Sequence, residues 1–209
     1  MSTRASTPGR RRVTAADVAR SLGISRATVG FVLNNTQGQT ISAATRERVL
    51  AEAERLSARK KLTRSEKELS GIIFDRLRNN ESFGRIRSKG DQALFGGRTT
   101  QDMKNKLSVP DGRPLADFLP TITIKAKDFA NEITNFNIKQ RHLGHESGIT
   151  DEHVKNNQEV RKLLVDRGIV PESLPPAEDV KKVERRLKSE QKRLPKQVES
   201  LEVPAEPVE

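Results

Sequence analysis

The stretch from Val13 to Leu56 is punctuated in a way that few folds accept. Apolar residues recur there at helical spacing in three short segments, each preceded by a hydroxyl residue. Thr14 with Asp17 has the spacing of a capping box, in which a side-chain oxygen accepts from an otherwise unpaired N–H of the first turn. Val18, Ala19 and Leu22 then share one side, and Gly23 stands where a left-handed residue is wanted to close the helix. Ser25 caps a second helix with Val29, Val32 and Leu33 turned inward. A loop rich in Asn, Gly, Gln and Thr (residues 34–41) leads to Ser42, the cap of a third helix carrying Val49, Leu50, Ala53 and Leu56. Three short helices with one apolar face each make a compact unit of about 45 residues.

A helix-turn-helix needs a first helix, a tight turn after a small residue, and a second helix whose start can enter the major groove. Gly23 followed by the Ser25 cap meets that need over Thr14–Asn34. Arg26, Ala27, Thr28 and Gly30, short or polar, occupy the outward face of the second helix. The competing reading is a helical hairpin with no nucleic-acid role. The chain holds 39 Lys+Arg against 28 Asp+Glu, a net charge of +11 with pI near 10.2. An excess of that sign fits a polyanionic partner, nucleic acid or an anionic membrane surface, and equally a merely solvated cationic protein. Residues 1–57 hold 9 basic and 4 acidic residues, the rest 30 and 24, so the first unit is the more densely charged.

Val13–Leu56 resembles the DNA-binding domain of the lactose-repressor (LacI) family of bacterial transcription regulators. The residues carrying the resemblance are VTAADVA at Val13–Ala19, GISRATV at Gly23–Val29, VLN at Val32–Asn34 and ISAATRERV at Ile41–Val49. The resemblance implies that Arg26, Ala27 and Phe31 face base edges, while Thr14, Ser25, Thr28, Asn34, Ser42 and Thr45 touch phosphate. Arg26 could then pair in bidentate fashion with guanine, and Phe31 could offer apolar contact to a thymine methyl. Two departures matter. Many family members have Ser-Arg where this chain has Gly30-Phe31. The family also continues into a Tyr-x-Pro hinge helix and a sugar-binding domain, which Ala58–Arg64 (ARKKLTR) and its sequel replace. No small-molecule effector is therefore expected, and a lone head should bind weakly and depend strongly on salt.

The segments around this head divide by composition. Residues 1–12 read as a flexible basic arm ending in Arg10, Arg11 and Arg12, residues 13–57 as the head, and residues 58–64 as a polar linker. Residues 65–195 read as a separate helical region, and residues 196–209, alternating Glu and Pro, as a disordered tail. Within the helical region, Ser65 and Glu68 are spaced as a capping box ahead of Leu69, Ile72, Ile73 and Leu77. Gly84 to Gly97 reads as a glycine-studded loop, whose Arg85, Arg87, Lys89 and Arg98 are candidate secondary phosphate contacts. It lacks the G-K-[ST] of a nucleotide-binding loop. Thr99–Leu119 is either a degenerate second helix-turn-helix or a plain helical hairpin. Lys125–Asn137 is helical by spacing, with Ala126, Phe129, Ala130, Ile133 and Phe136 on one face. A further helix starts at Thr150 and carries Val154, Val160, Leu163 and Leu164. Val180, Val183, Leu187 and Leu194 form a narrow stripe, either core packing or a surface for homodimerisation. Strand character is confined to Thr121–Ile124, so the expected class is all-α.

This second region resembles the C-terminal part of the bacterial DNA-damage-inducible protein D family, over about two-thirds of the chain. The resemblance rests on SEKELSGIIFDRL at Ser65–Leu77, GRIRSKGDQALFGG at Gly84–Gly97 and RPLADFLPTITIKAKDFANEITNFNIK at Arg113–Lys139. HVKNNQEVRKLL at His153–Leu164 and VKKVERRLKSEQKRLP at Val180–Pro195 extend it. It implies a link to the SOS response and a recombinase–single-stranded DNA filament as a partner, although that family's usual N-terminal domain has no counterpart here.

Several chemistries find no support. There is no cysteine, which removes disulfides, thiol nucleophiles and Cys-ligated zinc. His142, His145 and His153 lack a fourth ligand and helical support, so neither metal nor cofactor is read. Asp75 with Glu81, and Asp166 with Glu172, are carboxylate pairs only as any charged chain has them, and no catalytic residue is singled out. No apolar run approaches the ~18–20 residues of a membrane span, and MSTRASTPGRRRVT lacks the apolar stretch of a secretory signal. The expectation is a non-enzymatic protein of the cytoplasm, associated with the nucleoid, that binds double-stranded DNA.

Overall fold

The third helix does not stop where the polar segment begins. A computed structural model describes residues 13–79 and 81–177. In it Ala43–Leu77 is one helix of 35 residues, about 50 Å long at 1.5 Å per residue. The linker expected at residues 58–64 is thus the middle of a helix. ARKKLTR contains neither Gly nor Pro, and its residues are ordinary helix formers, so polarity alone gave no reason to break. Ser65 consequently caps nothing: its hydroxyl donates to the Leu62 carbonyl at 3.1 Å and meets Asp128 at 2.6 Å. Glu68 is taken by Lys139 on another helix.

The elements are α1 (Ala15–Leu22), α2 (Arg26–Leu33), α3 (Ala43–Leu77), α4 (Glu81–Leu94), α5 (Thr100–Lys106), α6 (Thr121–Gln140) and α7 (Glu146–Asp166). Single 3₁₀ turns lie at Leu115–Asp117 and Pro171–Ser173. The described residues are all-α. Thr121–Ile124, the one stretch with strand character, is the first turn of α6 behind Pro120. The expected loop from Gly84 onward is mostly α4, which reaches Leu94; only Phe95, Gly96 and Gly97 lie beyond it. Thr99 and Asp102 do form a capping box, but the next element after α5 is only the three-residue turn Leu115–Asp117, so no second helix-turn-helix exists there. α7 begins at Glu146, a turn earlier than Thr150.

α3 serves two bodies with different faces. Val49, with half-buried Ala53 and Leu56, packs on Val18, Ala19, Val29 and Val32 of α1 and α2. Ala58 and Leu62 then enter the main core with Leu94, Phe95, Leu119, Ile124 and Ala130, and Leu69 and Ile73 join Ile86, Ile138 and Ile149. Polar contacts tie the two together. The Ser21 hydroxyl of α1 donates to Glu52, Glu52 pairs with Arg55 at 2.7 Å, and Arg55 reaches the Asp117 carbonyl at 3.4 Å. Arg59 also pairs with Asp117 at 2.8 Å.

Where α4, α6 and α7 meet, the interior is polar. Lys127 forms a buried ion pair with Asp91, and the Thr100 hydroxyl donates to the other Asp91 oxygen at 2.6 Å. His153, 3% exposed, lies 3.1 Å from the Thr134 hydroxyl. Gly90 makes this approach possible: a Cβ there would stand 2.3 Å from His153 Nε2. Because α6 turns Thr123, Lys127, Asn131, Thr134 and Asn135 inward, its aromatic residues face out. Phe129 and Phe136 are 56% and 61% exposed, against the expectation of a buried apolar face; Ala126 and Ala130 alone of that set are buried. Leu163, Leu33 and Leu50 are likewise exposed rather than inward.

Candidate nucleic-acid interface

Three helix N-termini carry the hydroxyls singled out in the sequence. Thr14 Oγ1 accepts from the Asp17 N–H at 3.2 Å while Asp17 accepts from the Thr14 N–H at 2.8 Å, closing the capping box of α1. Ser25 Oγ accepts from the Thr28 N–H at 2.9 Å and lies 2.8 Å from the Thr28 hydroxyl. Ser42 Oγ accepts from the Thr45 N–H at 3.1 Å and donates to the Thr45 hydroxyl. Each pair leaves hydroxyl oxygens and first-turn N–H groups at the positive end of a helix dipole, the arrangement that accepts an anion.

The turn between α1 and α2 is built as its sequence demands. Gly23 adopts φ +71°, and its N–H and that of Ile24 both return to the Ala19 carbonyl, at 3.0 and 3.2 Å. That double return closes the end of α1 within two residues and lets Ser25 start the next helix at once. Val18, Val29 and Val49 are fully buried and Val32 nearly so, which fixes the roll of α2. Arg26 and Ala27 consequently point to solvent, with Thr28, Gly30 and Phe31 half-buried. Thr14, Ser25, Asn34 and Ser42 are exposed and Thr45 half-buried. The head therefore presents Arg26 and Ala27 at the start of α2, with capped helix ends on α1, α2 and α3.

The electrostatics of the head favour a polyanion because three of its four acids, all but the exposed Glu47, are already engaged. Burial raises the Asp17 pKa, but the Thr14 N–H and hydroxyl, with Lys60 beyond, hold it below the ordinary carboxylate value. Glu52 is held by Arg55, and Glu54 by Lys125. Arg26 and Arg48 are exposed and make no ion pair among the described residues, as do Lys61 and Arg64 further along α3. The polar composition of residues 58–64 hides Lys61 and Arg64 as surface cations of a helix, since it reads equally well as a linker.

The secondary cations do not share one loop. Arg85 pairs with Glu146 through two hydrogen bonds of 2.9 Å, which with Ser82 hold the Glu146 carboxyl at about 2. Arg87 is half-buried with its guanidinium 5.8 Å from the Phe83 ring. Lys89 is exposed on α4, and Arg98 lies beyond the helix end. Around Lys127, Asp91, Thr100 and Arg87 a small cavity of about 20 Å³ remains, room for a single water. His142 and His145 are exposed on the α6–α7 loop, whereas His153 is buried in α7. The three do not converge.

A small helix-turn-helix head, with an exposed second-helix start and carried on an all-helical body, defines a DNA-binding protein of the regulator type. Residues 14–57 match the family described as bacterial regulatory proteins, lacI family. Residues 49–183 match the DinD C-terminal domain, which covers more than half of the chain, and the chain belongs to that family. The two matches overlap over residues 49–57, within α3. No curated protein matches the chain. Among the described residues no helix is long and apolar enough to cross a membrane.

Proposed function

We propose that the chain is a transcription-regulator-like protein that binds double-stranded DNA in a sequence-specific way, without catalysis and without a small-molecule effector. The observation supporting this reading is the exposure of Arg26 and Ala27 at the start of a helix whose opposite face is locked by Val29 and Val32. Arg26 would read a guanine edge in the major groove, with Ala27 and Phe31 beside it. Thr14, Ser25, Thr28, Asn34, Ser42 and Thr45 would seat the backbone. The site of action is then the nucleoid.

Quantitative mobility shifts with a selected duplex and its single-base variants test the assignment. Arg26→Ala should lose about 1–3 kcal/mol of discrimination at one base pair and tolerate the other bases there. Thr28→Ala should weaken all duplexes alike, because phosphate contacts carry no sequence information. If Arg26→Ala leaves base preference untouched, the reading is wrong.

A second reading draws on the match over residues 49–183: the body acts in the DNA-damage (SOS) response on a recombinase–single-stranded DNA filament. Truncation before residue 58 would be a poor test, since it cuts through α3 and removes Glu54 and Arg55 from contacts with the body. The Arg26→Ala/Thr28→Ala double variant is better. If the body carries the activity, this variant keeps single-strand or recombinase binding while losing duplex binding.

A further inference from the structure

The outward face of α6 carries apolar residues that the fold leaves uncovered. α6 packs against α3 through Asp128 and Asn131, which meet Ser65, and against α7 through Thr134 and Asn137, which meet Asn156 and Glu152. Opposite these contacts stand Ile122, Phe129 and Phe136, exposed by 41%, 56% and 61%. They are spaced seven apart, so on a helix they form a nearly straight line about 21 Å long. In a chain with only seven phenylalanines and almost as many charged as hydrophobic residues, such a line marks an interaction surface.

We propose that this stripe is a homodimer interface, with α6 packed antiparallel on α6 of a second copy about a two-fold axis at Phe129. Seven-residue spacing makes the face self-complementary in that arrangement: Phe129 meets its own counterpart, and Ile122 lies opposite Phe136 of the second copy. Charge selects the direction. Lys125, Glu132 and Lys139 flank the stripe at the same seven-residue interval. A parallel pair about a two-fold axis would set this flank against the opposite one, where Ala126, Ile133 and Gln140 carry no charge. The antiparallel pair sets Lys125 against Glu132 of the second copy, twice. Glu132 is exposed and makes no ion pair among the described residues. Lys125 holds Glu54 in its own chain but has three N–H donors, enough for a second carboxylate. The same direction sends the two basic heads to opposite ends of the pair, since each head joins its body at the N-terminal end of α6, where Lys125 meets Glu54. An isologous contact of this kind closes on itself and limits assembly to two chains. The C-terminal stripe of Val180, Val183, Leu187 and Leu194 lies outside the described residues and is not needed for it.

Sedimentation equilibrium of the full chain over roughly 1–100 µM, the range suited to an interface at the small end of the known sizes, reads the association directly. The expected result is a mass rising from one chain to two. Phe129→Glu should raise the dissociation constant at least about tenfold, and Glu132→Lys should weaken the pair by a smaller factor. Because Phe129 is largely exposed, circular dichroism should show both variants folded. A single-chain mass throughout, as expected if residues 178–209 or an unrelated protein cover the stripe, overturns the proposal. So does a Phe129→Glu variant that dimerises as tightly as the parent. The measurement needs no DNA, so its outcome is independent of whether the head reads a duplex.

Discussion

Lowering the pH from about 7 to about 5 should cost the folded protein about 2 kcal/mol through His153 alone. Burial first, and the nearby Lys127 ammonium second, push this imidazole down to about 4, with Asp91 opposing only in part. The hydrogen bonds show which form the fold has selected. Thr134 uses its one hydroxyl proton on the Ala130 carbonyl at 2.7 Å, and its oxygen accepts from Asn156 at 3.0 Å. The 3.1 Å contact with His153 Nδ1 must then be an N–H donated by the ring, leaving Nε2 unprotonated on the side where Gly90 approaches. In the unfolded chain the same ring titrates at its ordinary value near 6.5. As pH falls below that value the unfolded state takes up the proton first. The stability is complete above about 6.5 and drains away toward 4, a total of about 3 kcal/mol. Urea unfolding at several pH values measures it, with His153→Gln as the control that cannot titrate. Glu146 and Glu172, held low by Arg85 and Arg161, lose their contributions only below the ordinary carboxylate range and leave this window clear. A loss of only a few tenths of a kcal/mol in the parent, or an equal loss in the control, would refute the reasoning.

Two further substitutions probe the packing and the head. Gly90→Ala gains about 1 kcal/mol of helix propensity but drives a Cβ to 2.3 Å from a confined imidazole. The overpacking, commonly about 1–3 kcal/mol, should win, and a lower urea midpoint is the expected result. Ser25→Ala removes the α2 cap, which should destabilise the head by about 1 kcal/mol. Binding to every duplex should weaken by the same factor, as read by fluorescence anisotropy on two unrelated sequences.

The head was legible because its signals are local. A capping box, a left-handed glycine and a serine cap occupy adjacent positions, and each is satisfied within four residues of chain. The body was legible as helices, α4 excepted, but not as a core. Lys127, Asp91, Thr134 and His153 carry no apolar signal, yet they are buried because Lys127 pairs with Asp91 and Thr134 with His153 across α4, α6 and α7, while Asn131 meets Ser65 of α3. No spacing rule within one segment can show such pairing. The same inversion misplaced Phe129 and Phe136: hydrophobicity assigned them inward, while the polar network had taken that side of α6. The break at residues 58–64 failed for a different reason, since a polar stretch without Gly or Pro is compatible with either a linker or a helix carrying its charges outward. The site residues Arg26, Ala27 and Phe31 came from resemblance, and the geometry adds the exposure of Arg26 and Ala27 while leaving Phe31 half-buried.

The uninterrupted α3 makes the orientation of the whole molecule on DNA a matter of helical phase. A head seated in a groove has a fixed azimuth about the duplex axis, and the rod leaving it holds everything beyond at a set angle. One residue inserted between Leu56 and Ala58 would translate the distal half by only about 1.5 Å but swing it through about 100°. Either half could keep its own packing, yet whatever α4–α7 presents to neighbouring molecules would point elsewhere along the bound duplex.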